Sequence, residues 1–307
     1  MNLEQNVELS TELGKGWNQE WLMEKILPKN QTTMGYGDED SYKTFTALNI
    51  AFQVNNGLQE IAMTNQTGVL YLCLENHSGF NERVKAIHKR YPSASNLKIS
   101  REPFDILDTE DVYDLTQYCM NNDIGFVVID TLSRAIHSGD ESSASVGRDI
   151  RNAFTIINAN EITVLCIHHT GKNGSNGARG SSIITYDIPS RFVVKKLKGN
   201  KGYIKIVKTK SDNEHKKIPF VVEACDESLN IIWNQESKSK LSNQILEIVT
   251  GSEYKVTDLK QDLQQHYQEI KLDSFSKKIN REIEKLVQEG IIEQIQMDKV
   301  KFIRRTK

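Results

Sequence analysis

The stretch MGYGDEDSYKTFTALNIA, residues 34–51, decides the reading of this chain. It closes an apolar run, turns through a short loop and enters a helix carrying apolar Phe45, Leu48, Ile50 and Phe52. A phosphate-binding loop reads GxxxxGK[ST]: backbone N–H groups cradle phosphates at a helix N-terminus, the lysine neutralises them, and the hydroxyl ligates magnesium. Gly37, Lys43 and Thr44 hold three of those places. Tyr42 replaces the second glycine, and Asp38, Glu39 and Asp40 fill the bend, where their charge either repels a triphosphate or points to solvent. Alone, the pattern also describes a surface turn. Its placement after a strand and before a helix selects a nucleotide site, contacted by Gly37, Asp40, Ser41, Tyr42, Lys43 and Thr44.

Working outward, strand-length apolar runs alternate with helical patterns, as a parallel sheet with crossover helices requires. TTMGYG, VLYLCLE, NLKIS, IGFVVID and ITVLCIHH are the expected strands, with helices at about 44–54, 80–90, 109–121 and 146–158. RFVVKKL, YIKIVKTK, KIPFVVEA and LNIIWN, separated by turn-rich segments, then extend the sheet as hairpins. The fold class is α/β, with the boundaries 1–20 for a polar N-terminal segment, 21–236 for the sheet domain and 237–307 for a small C-terminal domain.

Three strand ends carry chemistry. Asp130 ends IGFVVID and suits a carboxylate that holds the magnesium shell; the bland alternative is an ordinary strand-end aspartate. Glu75 ends VLYLCLE and can polarise an attacking water, or merely cap a helix. His168 and His169 leave the same edge and can sense a γ-phosphate, although such a pair is more often structural. One sheet edge collecting all of these, in the order loop, Glu, Asp and polar sensor, is far more specific than any one of them.

The 307 residues carry 39 Lys and Arg against 41 Asp and Glu, which excludes a strongly basic chain. Residues 238–307 hold 14 basic and 11 acidic side chains, leaving 25 and 30 for residues 1–237, so the tail is positive and the body negative. The four cysteines form no CxxC or CxxH pair and read as reduced thiols. No apolar run is long enough to span a membrane and the polar start lacks a signal-peptide pattern, so a cytoplasmic protein is expected.

In the tail, SNQILEIV, VTDLKQDLQQHY and SFSKKINREIEKLVQEG are helical by period, and IIEQIQ and VKFIRR form a hairpin, the outline of a winged helix. Phe275, Ile279, Ile283 and Leu286 share one face of the third helix; Lys277, Arg281 and Lys285 share the other, beside Lys278. With Arg304 and Arg305 on the hairpin, they form a footprint for duplex DNA. Interspersed glutamates leave a solvated or protein-docking face as the alternative.

From Trp21 to Phe220, through WLMEKILPKNQTTMGYG, YKTF, VLYLCLEN, ERVKAI, VVIDTLSR, HHTGK and ARGSS, the chain resembles the RecA-like ATPases of the plasmid RepA-type replicative helicases. The resemblance implies a hexameric ring that binds ATP and Mg2+ between subunits and moves on single-stranded DNA, in the company of other replication proteins. Carried over, Lys43 and Thr44 are the loop pair, Glu75 the catalytic carboxylate, Asp130 the metal-shell acid and His169 the sensor. The basic residue that such rings insert from a neighbouring subunit falls to Arg179, Arg191, Lys208 or Lys210; Arg191 stands about two residues late, and Lys210 replaces the usual Arg of a KxR pair. The rival classes are a DNA-binding replication adaptor with a degenerate nucleotide site and a small-molecule P-loop kinase, for which a winged helix has no use.

Overall fold

A computed structural model describes residues 19–75, 79–92, 95, 97–137, 139–170, 188–208, 217–233, 240–249, 253–264, 272–288, 292–297 and 300–305. The chain divides into two compact units, Met1–Asn234 and Gln235–Lys307.

The first unit is built on a nine-stranded sheet. Its strands are β3 (Thr32–Gly37), β4 (Gly68–Cys73), β5 (Lys98–Ser100), β6 (Ile124–Asp130), β7 (Thr163–His169), β8 (Ser190–Lys196), β9 (Lys201–Lys208), β10 (Lys217–Cys225) and β11 (Ser228–Trp233). They lie in the order β11-β10-β9-β8-β3-β7-β6-β4-β5. From β8 to β5 every neighbour is parallel, and from β8 to β11 every neighbour is antiparallel. The arrangement is consistent with a RecA-like core. Helices α1 (Lys43–Asn56) and α2 (Phe80–Arg90) cover one face, and α3 (Thr109–Asn121) and α4 (Ala144–Ala159) the other. Burial on both faces explains the nearly continuous apolar reading of β4, β6 and β7.

Strand periodicity divides the core into two. Val69, Tyr71, Cys73, Phe126, Val128, Leu165 and Ile167 pack on the α1 side, whereas Leu70, Leu72, Val127, Ile129, Val164 and Cys166 pack on the α3 side. Two short strands escaped the sequence: β1 (Trp21–Met23) pairs antiparallel with β2 (Leu27–Pro28), around Lys25 at φ 64°. At three and two residues they are too short for alternation to register, yet Leu22, Met23, Ile26 and Leu27 are buried in the α1-side core. Burial pushes the Cys119 and Cys166 thiols up to about 12, which keeps both protonated and inert.

The second unit contains α5 (Lys240–Ile248), α6 (Val256–Gln264) and α7 (Leu272–Gln288). A three-stranded antiparallel sheet accompanies them, with β14 (Val300–Arg305) between β12 (Tyr254–Lys255) and β13 (Ile292–Met297). Phe275, Ile279, Ile283 and Leu286 are buried with Leu259 and Ile303 in its own core. Lys277, Lys278 and Arg281 are exposed on α7.

Candidate nucleotide site

The same period of two that sorts the core assembles the site. Glu75 continues the face of Tyr71 and Cys73, Asp130 that of Phe126 and Val128, and His169 that of Leu165 and Ile167, so all three leave the sheet on the α1 side. Register brings them level: Gly37 is opposite His169, and Asp130 lies opposite Cys73 and Ile167. His168 points the other way, fully buried, with Nε2 2.7 Å from Glu141 Oε1. A cleft of about 440 Å3 lined by Lys43, Thr44, Glu75 and His169 results.

The loop closes without its second glycine. Asp40 and Tyr42 adopt positive φ, 57° and 71°, the conformation in which glycine is the usual residue. Edge contacts with Phe45 and Phe220 pack the Tyr42 ring, and Lys196 lies 4.9 Å above it. Gly37 must be glycine, since a Cβ would meet Ser41 Oγ and the Val194 carbonyl oxygen, each at 2.5 Å. Tyr42 gives α1 no side-chain cap and its first turn carries no acid, which leaves N–H groups facing the cleft for phosphate.

The acidic bend is partly neutralised from within. Asp38 accepts hydrogen bonds from Lys195 Nζ at 2.8 Å and Thr170 Oγ1 at 2.7 Å. These bonds, Lys195 first, hold its carboxyl below the usual range. Its carbonyl oxygen accepts from Lys43 Nζ at 2.6 Å, and the Thr170 N–H donates to the Gly37 carbonyl. The loop is thereby clasped to the ends of β7 and β8. Glu39 and Asp40 are exposed, so water screens what Lys195 does not.

Asp130 tests whether these residues fit a magnesium nucleotide. It is buried, Tyr71 donates to its Oδ2 at 2.6 Å, and Oδ1 is enclosed without a hydrogen bond. Burial raises its carboxyl pKa; Tyr71 and the nearby Thr44 hydroxyl oppose the rise. An enclosed carboxylate oxygen beside a threonine hydroxyl is the oxygen donor set that magnesium takes, with water completing the shell. The residues fit: Thr44 and Asp130 would hold the metal and Lys43 the phosphates. Burial lowers the Lys43 pKa and the carboxylates of Asp130 and Glu75 offset part of this.

Glu75 and His169 face each other at 3.9 Å. Burial first, and Lys43 next, lower the His169 pKa, so the ring is neutral at pH 7 and offers an N–H without a charge. Sequence reasoning missed Arg83. It lies on α2, lines the cleft, stacks 4.7 Å from the Phe45 ring centroid and acts on the Asp130 carboxyl. Its signal was present in ERVKAI, one helical turn into the element after Glu75.

The other basic candidates lie apart. Arg191 is on β8 and acts on Tyr36, on the α3 side, and Lys208 is its register partner on β9; neither lines the cleft. Arg179 and Lys210 lie outside the described residues. In the second unit, Lys285 lies on α7 and Arg305 ends β14. Arg304 is tied to Glu293 at 2.5 Å and Glu253 at 3.4 Å.

Fold and site together define a P-loop ATPase. A family model described as an AAA domain matches residues 5–175, more than half of the chain, and the chain belongs to that family. No curated protein matches the sequence. Among the described residues no helix is long and apolar enough to cross a membrane.

Proposed function

We propose that this ATPase is a DNA helicase or translocase of the plasmid RepA kind, a cytoplasmic hexameric ring that serves replication of a plasmid, phage or other mobile element. The observation that carries the reading is the convergence of Lys43, Glu75, Asp130 and His169 on one sheet edge. Glu75 polarises the attacking water, Lys43 balances the charge of the phosphates, and neutral His169 donates a hydrogen bond to the γ-phosphoryl oxygens. Magnesium, when bound at Thr44 and Asp130, supplies Lewis-acid stabilisation of the leaving phosphates. Arg191, Lys208, Arg179 or Lys210 completes the site from a neighbouring subunit, which for Arg191 and Lys208 accounts for their absence from the cleft lining. Three helices with an antiparallel hairpin support a winged helix in the second unit, and exposed Lys277, Lys278 and Arg281 support duplex DNA as its partner.

Exposed Glu39 and Asp40 favour a second reading, a replication adaptor with a weak nucleotide site. ATP turnover measured with and without single-stranded DNA separates the two. The helicase reading expects stimulation; turnover equal to that of Lys43→Ala under both conditions leaves the adaptor.

A further inference from the structure

Leu74 and Glu75 part at the end of β4. Glu75 enters the nucleotide cleft, whereas Leu74 faces the α3 side and lines a second cleft of about 360 Å3, within the size range of small-ligand pockets, about 300–1,000 Å3. Its floor is apolar, formed by Leu74, Pro103 and Ile136. Its polar groups are Arg101, Ser133, Arg134 and His137, and among the described residues no carboxylate lines it.

Both guanidinium groups are exposed, and neither forms an ion pair with a described carboxylate. Among the described residues Arg101 donates to the neutral amide oxygen of Asn81, and Asp105 accepts from the backbone N–H groups of Leu107 and His137. Arg90 and Arg304, in contrast, are paired with glutamates.

We infer that this cleft binds one nucleotide unit of a single-stranded polynucleotide, with Arg101 and Arg134 on the phosphodiester and the apolar floor against a base or sugar. A guanidinium fork matches phosphate oxygens. An apolar floor beneath it needs an unstacked base, which a single strand offers and a duplex withholds. The inference deepens the DNA-translocase reading and rests on it for the choice of polymer. It also provides a route between DNA and nucleotide: Thr131 lines the first cleft, Ser133 the second, and their hydroxyl oxygens lie 3.1 Å apart.

The test is fluorescence anisotropy of a labelled oligo(dT) across a salt series, with the full-length chain and the Arg101→Gln/Arg134→Gln variant. Thermal melting establishes that both are folded, and ATP turnover without DNA is measured in parallel. The variant is expected to lose at least tenfold in affinity and about 0.7 from the salt slope, the value for one neutralised phosphate, with basal turnover unchanged. Binding of a blunt duplex is expected to change little. Unchanged oligo(dT) affinity and slope, a wild type that does not bind oligo(dT), or an equal loss on the duplex would each overturn the assignment. Absent basal turnover in wild type would count instead against the ATPase reading, so the two failures are distinguishable.

Discussion

The Tyr71 hydroxyl donates to Asp130 Oδ2 at 2.6 Å, and both side chains are enclosed in the sheet on the α1 side. The carboxylate that suits a metal is therefore held in a place that disfavours its charge. Its folded pKa is raised, so its contribution to stability is full below the ordinary 3.8 and is lost as pH rises through the folded value. At neutral pH the metal-free protein carries that destabilisation.

Asp130→Asn should accordingly stabilise the metal-free protein at pH 7 by about 1 kcal/mol or more, since the amide oxygen still accepts from Tyr71. The same variant should lose the stabilisation conferred by magnesium and ATP. Tyr71→Phe should cost about 1.5–3 kcal/mol, the range for a hydrogen bond to a charged group, and should cost less in the Asp130→Asn background. Urea denaturation of the four proteins, with and without magnesium and ATP, measures all four effects. A destabilised Asp130→Asn would mean that the carboxylate is better compensated than its surroundings indicate.

Much of this was legible beforehand because it depends on local period. Nearly continuous apolar runs placed Glu75, Asp130 and His169 at strand ends, and the helix at 80–90 and strands β3 and β6 fall where their patterns end. The side of the sheet taken by each group was implicit in the two-residue period of a strand, but only the register of β3, β7, β6 and β4 brings them level. The Asp38 clasp joins residues 132 and 157 positions apart, a separation that no periodic pattern encodes. Arg83 was visible in ERVKAI as a residue type, but its role depends on where α2 packs. Of the basic candidates, only residue type was readable; their positions depend on the β8–β9 pairing.

The acidic loop makes two opposite expectations. Asp40 is exposed at φ 57°, so Asp40→Gly suits the backbone and removes a solvated charge. ATP affinity should tighten by less than about 1 kcal/mol, under about fivefold, and the gain should vanish in high salt. Asp38→Ala should weaken ATP binding, because it releases Lys195 and Thr170 from the loop. Calorimetric titration of both variants checks the signs; tighter binding by Asp38→Ala would remove the clasp from the account.

His169 should titrate below the ordinary histidine value of 6.5. With a depressed folded pKa, its contribution to stability is full above 6.5 and is lost as pH falls through the folded value. Lys43→Ala removes one lowering cause and should move the His169 titration upward. Proton NMR of the imidazole against pH follows it directly, and a His169 that titrates above 6.5 would place its ring outside the cleft.

Charge reversal at Lys277 and Arg281 should weaken duplex DNA binding and reduce its salt slope by about 1.8 while leaving basal ATP turnover unchanged. Deletion of residues 237–307 should have the same signature. Electrophoretic mobility shifts across a salt series measure it. Unchanged duplex affinity in the reversal variant would reassign this face of α7 to protein docking.

The central claim is that Glu75 drives ATP hydrolysis in a cleft that Lys43 makes able to bind nucleotide. Its most direct test is one experiment on Glu75→Gln, comparing ATP binding with steady-state turnover in the presence of magnesium. The expected result is near-wild-type affinity with turnover reduced at least a hundredfold, the scale of a lost general base. Turnover by Glu75→Gln equal to wild type, or wild-type turnover no greater than that of Lys43→Ala, would contradict the account.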